Sequence, residues 1–232
     1  MLFPKPRETG KFIDGVVCIM TTLLLIRHGE SEANHLGLFA GHSNPDLSER
    51  GLEQAKFTAR FVADNFSVDK LYSSDLKRAY NTGKCIAELL GLEITADSNL
   101  REIMAGEWES KKFDVLNTVY QEEYRVWKTD IGNAKCTGGE SVKELSERVF
   151  CAIKKIAEEN PGKTVAITTH ATPVRATLSI IEAGGTEQMK NIPWVSNASV
   201  TVIKYDNGEF RVEAVSLDKH LDSLKTVLPS SV

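Results

Sequence analysis

Leu23-Leu24-Leu25-Ile26, entered from Thr22, is an unbroken apolar run that ends in Arg27-His28-Gly29. Apolar residues without alternation mark a strand buried on both faces, so the run predicts a central strand whose end carries polar groups. After a loop rich in glycine, asparagine and proline (37–45), Ser48 can cap a helix. Its apolar positions Leu52, Ala55, Ala59, Val62 and Phe66 recur at helical spacing. Lys70-Leu71-Tyr72-Ser73 reads as a short strand, followed by a helix through Leu76, Ala79, Ile86 and Leu90 that stops at Gly91. Residues 93–96 carry a weaker strand pattern. Ser141 to Glu144 has the form of a capping box, in which the serine and glutamate side chains satisfy each other's backbone amides. Val142, Leu145, Val149, Ile153 and Ile156 then trace one apolar face until Asn160-Pro161-Gly162 ends the helix. Thr164 to Thr169 repeats the buried-strand pattern and runs into His170. A helix over about 173–183 and two strands, 199–205 and 210–215, joined at Asn207-Gly208, complete the pattern.

Strands alternating with helices predict an α/β fold: a mostly parallel sheet covered on both faces, with an antiparallel edge strand from the final hairpin. Residues 101–139 lose clean periodicity and gather Trp108, Phe113, Tyr120, Tyr124 and Trp127, and are expected to be an inserted lid. Residues 20–220 are expected to form a single domain, residues 1–19 a vector-derived or poorly ordered leader ahead of a start at Met20, and residues 221–232 a tail. Ligands bind outside the carboxyl ends of the strands in such sheets, and both Arg27-His28 and His170 fall there. Two histidines far apart in sequence are therefore expected to face one pocket.

Composition narrows the partners. The chain is 41% hydrophobic and 26% charged, the balance of an ordinary globular protein. A net charge of -4 supplies no basic field for a nucleic acid. The apolar stretch from Val16 to Ile26 is interrupted by Thr21 and Thr22 and falls short of the roughly 20 residues that cross a bilayer. Cys18, Cys85, Cys136 and Cys151 show no C-x-x-C spacing, which points to reduced, buried thiols in a cytoplasmic protein.

Phosphate chemistry must then rest on a few local side chains. Phosphoryl transfer needs a nucleophile, fixed positive charge around the equatorial oxygens and a proton for the leaving alkoxide. Arg27, His28, Arg78, Glu102 and His170 can supply all three. Neutral imidazole is nucleophilic near pH 7, and a phosphohistidine splits one difficult displacement into two easier ones, which makes His28 the candidate nucleophile. Arginine suits the clamp because its planar fork holds two phosphate oxygens and stays charged. Glu102 would carry a proton as general acid and, once deprotonated, activate water.

These residues lie in a recognisable series. Arg27-His28-Gly29-Glu30-Ser31-Glu32-Ala33-Asn34, Asp46-Leu47-Ser48-Glu49-Arg50-Gly51, Tyr72-Ser73-Ser74-Asp75-Leu76-Lys77-Arg78-Ala79 and Leu100-Arg101-Glu102-Ile103 follow one another in order. Gly106, Trp108 and Glu109 come next, then Gly138-Gly139-Glu140-Ser141 and Thr169-His170-Ala171. The series resembles the histidine phosphatase superfamily, whose members include phosphoglycerate mutases and small-molecule phosphatases. The resemblance implies a three-layer α/β/α sandwich, phosphoglycerate mutase-like, with no metal or other cofactor. It also implies His28 as the phosphorylated nucleophile, Arg27, Arg78 and His170 as phosphate ligands, Glu102 as proton donor, and Asn34 and Ala171 at the substrate phosphate. Two departures stand out: Leu38 replaces an arginine common in the family, and Ala171-Thr172 stand where it often has two glycines. The first argues against a highly anionic substrate.

The expected activity is therefore metal-independent hydrolysis of a small phosphomonoester. A cofactor-dependent phosphoglycerate mutase and a non-catalytic phospho-ligand binding module are the alternatives, although the long basic insertion typical of the mutases is not recognisable. A cysteine-phosphatase loop, a Walker loop, a G-x-S-x-G elbow and an H-E-x-x-H zinc motif are all missing from the sequence. His35, His42 and His220 read as loop or surface histidines, Lys111 and Lys112 as a solvated face, and the lid aromatics as packing more than as a substrate stack. A homodimer through an edge strand is as compatible with the sequence as a monomer.

Overall fold

The computed structural model describes residues 12–13, 16–17 and 20–226. The expectations for most of residues 1–19 and for residues 227–232 lie outside these described residues. The first two pairs form a short antiparallel ribbon, β1 (Phe12–Ile13) with β2 (Val16–Val17). The six-stranded sheet that follows comprises β3 (Thr21–Arg27), β4 (Lys70–Ser73), β5 (Ile94–Ala96), β6 (Thr164–Thr169), β7 (Val200–Asp206) and β8 (Glu209–Leu217). Their spatial order is β5-β4-β6-β3-β7-β8. β4, β5, β6 and β3 pair in parallel, whereas β7 pairs antiparallel with β3 and with the edge strand β8.

β3 shows why its sequence lacks alternation. Leu23 and Leu25 pack in one core with α6 (Val142–Glu159) and α7 (Ala171–Ala183), whereas Leu24 and Ile26 pack in another with α2 (Glu49–Asn65) and α3 (Lys77–Leu90). All four are fully buried, so one strand feeds two cores and the helices form the outer layers of a three-layer sandwich. The caps are those the sequence indicates. The Ser48 side chain accepts from Gly51 N at 3.1 Å, and Ser141 and Glu144 form a reciprocal capping box.

Several expectations change. α7 begins at Ala171, two residues earlier than the apolar pattern indicates, and carries Pro173 in its first turn, where a missing N–H costs nothing. Leu52, counted with the apolar face of α2, is 41% exposed, and the buried face includes Gln54 and Thr58 instead. Both are spent on loop backbone: Gln54 Oε1 accepts from Glu30 N at 2.7 Å, and Thr58 Oγ1 donates to Ala198 O at 2.7 Å. His220 is no surface histidine. Its ring stacks on Phe61 with centroids 4.4 Å apart, and its Nε2 lies 2.9 Å from Thr58 Oγ1, because the segment after β8 folds back onto α2. Cys136 is buried and Cys85 half-buried, but Cys151 is exposed on the outer face of α6.

Residues 101–139 hold two short helices, α4 (Phe113–Val119) and α5 (Gln121–Thr129), around a cluster of rings. Trp108 is fully buried at its centre, edge-on to Phe39 at 5.5 Å, Tyr124 at 5.7 Å and Trp127 at 6.0 Å. Such offset and edge contacts are the favoured aromatic geometry. Among the described residues no helix is long and apolar enough to cross a membrane.

Candidate active site

β3 and β6 are neighbours in parallel register, with Arg27 opposite Thr169, so the next residue of each chain segment is a histidine at the same sheet edge. His28 N donates to Thr169 O at 2.9 Å, and the His28 and His170 rings meet edge-on with centroids 5.1 Å apart. The turn after His28 is made possible by close backbone approach: a Cβ on Gly29 would lie 2.4 Å from Gly51 O, and one on Gly51 would lie 1.8 Å from Glu30 O. Glycine at both positions lets α2 start against the His28 loop. The short helix α1 (Glu32–His35) follows, with Ser31 and Asn34 forming its capping box.

His28 is buried, and its Nδ1 lies 2.6 Å from the carbonyl oxygen of Gly29. A carbonyl only accepts, so Nδ1 carries the proton in this contact and the neutral ring is left with its lone pair on Nε2. Burial, reinforced by Arg78 and Arg27, holds the imidazole pKa well below its usual value, against the opposing hydrogen bond to Gly29. The fold thus fixes both tautomer and charge of this ring.

The arginines stand on either side. Arg27, at the end of β3, donates from Nη1 to Val195 O at 2.6 Å, and Arg78, in the first turn of α3, donates to Gly41 O at 2.7 Å and Ser43 O at 3.0 Å. Neither has a carboxylate ion-pair partner among the described residues, and each has a buried Nε without a protein partner. Burial lowers both guanidinium pKa values to about 10, against the attraction of Glu102. Two charged forks held by neutral carbonyls, with donors to spare, constitute a site for an oxyanion.

Glu102 lies on the segment between β5 and α4. Its Oε1 accepts from Ile103 N at 2.9 Å, and its Oε2 lies 3.5 Å from Thr172 N. The segment is pinned from three directions. Arg148 on α6 donates to the carbonyl oxygens of Asn99, Arg101 and Glu102, His42 Nε2 donates to the Glu102 carbonyl at 2.8 Å, and Arg101 makes a bidentate pair with Asp75. That pair, chiefly through its hydrogen bond, holds the Asp75 carboxyl below its usual range. Arg148 is itself paired with Glu140 at 2.7 Å.

Arg27, His28, Asn34, Arg78, Glu102 and Ala171 all line one open cavity. Asn34 turns its Oδ1 to Ser31 and Asn197, which leaves the amide nitrogen for the cavity. His170 stands behind His28 and does not itself line the cavity. Its Nε2 is 2.9 Å from Ser74 Oγ, its Nδ1 has no partner, and burial followed by Arg78 and His28 depresses its pKa. Sequence reasoning missed Phe39, Thr172, Trp194 and Thr226 on the cavity wall, as well as Arg148 and Glu109 behind it. Glu109 accepts from the amides of His42, Ser43 and Ala105, and so shapes the loop that carries the carbonyl partners of Arg78. Glu109 lay within a family motif, and Phe39 and Thr172 lay at the two departures from it; Trp194, Thr226 and Arg148 are joined to the site by tertiary contact alone.

His28 and His170 follow adjacent strands, Arg27 ends one of them, and Arg78 joins from the first turn of α3, an arrangement suited to phosphoryl transfer; residues 23–218 match the model of the histidine phosphatase superfamily (branch 1). The chain belongs to that superfamily and is a phosphomonoester hydrolase of it. Phosphoserine phosphatase 1 of Hydrogenobacter thermophilus is 36% identical over 157 residues, covering 68% of this chain and 74% of the relative. The adenosylcobalamin/alpha-ribazole phosphatase of Salmonella typhimurium is 32% identical over 148 residues, covering 64% and 73%. Among solved structures, Bacillus stearothermophilus YhfR superposes with a TM-score of 0.83 at 25% identity, covering 87% of this chain and 100% of that one. A mutant phosphoserine phosphatase from Entamoeba histolytica in complex with phosphoserine gives 0.77 at 25% identity, covering 87% and 99%.

Proposed function

We propose that this protein hydrolyses a small phosphomonoester without a metal, in two steps through a phosphohistidine on Nε2 of His28. The observation that carries the reading is the 2.6 Å contact from His28 Nδ1 to Gly29 O, which leaves a neutral, oriented lone pair between two arginines that lack carboxylate partners.

In the first step the Nε2–P bond forms as the bond from phosphorus to the ester oxygen breaks, and Glu102 passes its proton to the departing alkoxide. Arg27 and Arg78 hold the equatorial oxygens throughout, aided by the Asn34 amide and by the helix N-terminus of α7 at Ala171. In the second step the Glu102 carboxylate takes a proton from water as its oxygen bonds phosphorus and the N–P bond breaks, which returns His28 and Glu102 to their starting states. His170 supports the chemistry by fixing the His28 ring from behind.

The test is phosphate release by chelator-treated protein from a panel of phosphomonoesters that includes 3-phosphoglycerate, beside His28→Ala. Release that survives chelation and vanishes in the variant, with an acid-labile phosphoenzyme trapped during turnover, is the expected result. Chelator-sensitive release, or release by the variant, would sink the proposal. Interconversion of phosphoglycerates after priming, without release, would make the protein a mutase instead.

A further inference from the structure

Beyond the phosphate cradle the cavity wall is apolar. Leu38 and Phe39 enter it from the loop after α1, Phe113 and Trp127 from α4 and α5, and Trp194 from the segment before β7. An isolated bridge between Leu38 and Lys112 fastens the first of these loops to the start of α4, so the wall is one unit assembled from distant parts of the chain. Among the described residues lining the cavity, Arg27 and Arg78 are the only cationic side chains and Glu102 the only anionic one.

This charge inventory limits the alcohol that leaves. With both arginines engaged by the transferring phosphoryl group, a second carboxylate or phosphate on the alcohol would lose its hydration against these rings and gain no cation in return. An ammonium group would find ring faces. However, the Arg175 guanidinium already lies 4.0 Å from the centre of the Trp194 ring, so a second cation there meets like charge. Phe39 meets Trp127 edge-on at 5.1 Å and Phe113 at 6.2 Å, an arrangement that one more flat, neutral ring would extend.

Resting on the hydrolase reading above, we infer that the substrate is the phosphomonoester of an uncharged alcohol that bears a planar aromatic group, recognised by the wall of Leu38, Phe113, Trp127 and Trp194. The experiment compares kcat/KM for 2-phenylethyl phosphate, phosphoserine, 3-phosphoglycerate and phosphocholine, all of which release an aliphatic alcohol. The expected preference for 2-phenylethyl phosphate is roughly tenfold or more, the scale of one or two aromatic contacts. Phe113→Ala is expected to raise KM for that ester by a larger factor than for the others, so that the preference narrows. Leu38→Arg, at a half-buried position, is expected to shift the preference toward 3-phosphoglycerate.

Equal or better use of a charged ester, still dependent on His28, would overturn the aromatic assignment and leave the hydrolase reading intact. Turnover of none of the esters, with saturable quenching of tryptophan fluorescence by 2-phenylethyl phosphate alone, would overturn the hydrolase reading and uphold the binding preference. Neither turnover nor quenching would overturn both.

Discussion

Arg148 donates from Nη2 to the carbonyl oxygen of Glu102 and to Glu140 Oε2, both at 2.8 Å, while Nη1 holds the carbonyls of Asn99 and Arg101 and Nε holds Glu140 Oε1. One guanidinium therefore ties the segment bearing the candidate acid to helix α6. Arg148→Met is expected to lower kcat about tenfold with little change in KM, because the arginine cradle stays in place while Glu102 loses its fixed position. The same variant should lose about 2 kcal/mol in urea unfolding, the scale of charged hydrogen bonds broken in a half-buried site. A rise in KM with kcat unchanged would place Arg148 in substrate binding instead.

Arg78 holds two backbone carbonyls with one fork and keeps a buried Nε free. Lysine conserves the charge but has neither the fork nor the reach to both carbonyls. Arg78→Lys is expected to reduce kcat/KM about 100-fold, as for other donors aimed at a transition-state oxyanion. Steady-state kinetics with retention of near-native circular dichroism would check it, and a loss below threefold would contradict the assignment.

Stability should fall as pH drops through the ordinary histidine range. Burial depresses the pKa of His28, His170 and His220 in the folded protein. Below about pH 6.5 the unfolded chain binds protons that the folded one refuses, so ν_U exceeds ν_N and unfolding becomes easier with each step toward acid. Thermal unfolding is expected to show a lower Tm at pH 5 than at pH 7.5, and His220→Phe is expected to flatten part of that dependence. A Tm independent of pH across this interval would refute the burial argument.

Gly51→Ala offers a test of sign. Inside an exposed helix the change stabilises by about 1 kcal/mol, yet here the new Cβ would fall 1.8 Å from the Glu30 carbonyl oxygen, which is backbone and held in the His28 loop. Loss of about 3 kcal/mol or more, with activity lost alongside, is expected, since α2 and the His28 loop must part to make room. Chemical denaturation measures the first and phosphate release the second.

Trp108 anchors the aromatic cluster beneath the cavity wall. Trp108→Ala is expected to cost about 3–5 kcal/mol, the range for an emptied aromatic core site, and Trp108→Phe clearly less. A change under 1 kcal/mol for the alanine variant would show that the cluster repacks freely.

Local patterning was enough to reveal the layers of this fold and the ends of its strands. An unbroken apolar run means a strand with two buried faces, and the capping residues Ser48 and Ser141 mark helix starts by chemistry that acts within four residues. His28 and His170 could be expected at one edge of the sheet because both terminate such runs, but of the two only His28 lines the cavity. The pattern failed where polar residues are buried to serve distant backbone, as with Gln54, Thr58 and His220, because no local signal distinguishes a solvated side chain from one spent on a carbonyl 140 residues away. The helices of residues 101–139 were illegible for a related reason: α4 and α5 are short and draw their order from rings packed around Trp108.

The sequence by itself determined the chemistry available, one imidazole and two guanidiniums at strand and helix ends, since residue type and local period are properties of short segments. Only the tertiary structure decided the tautomer of His28, the freedom of the arginine donors, the clamp of Arg148 on the Glu102 segment and the apolar wall around Leu38 and Trp194. Those depend on which distant backbone oxygens and rings are brought together, and contact energies between remote segments leave no periodic trace along the chain.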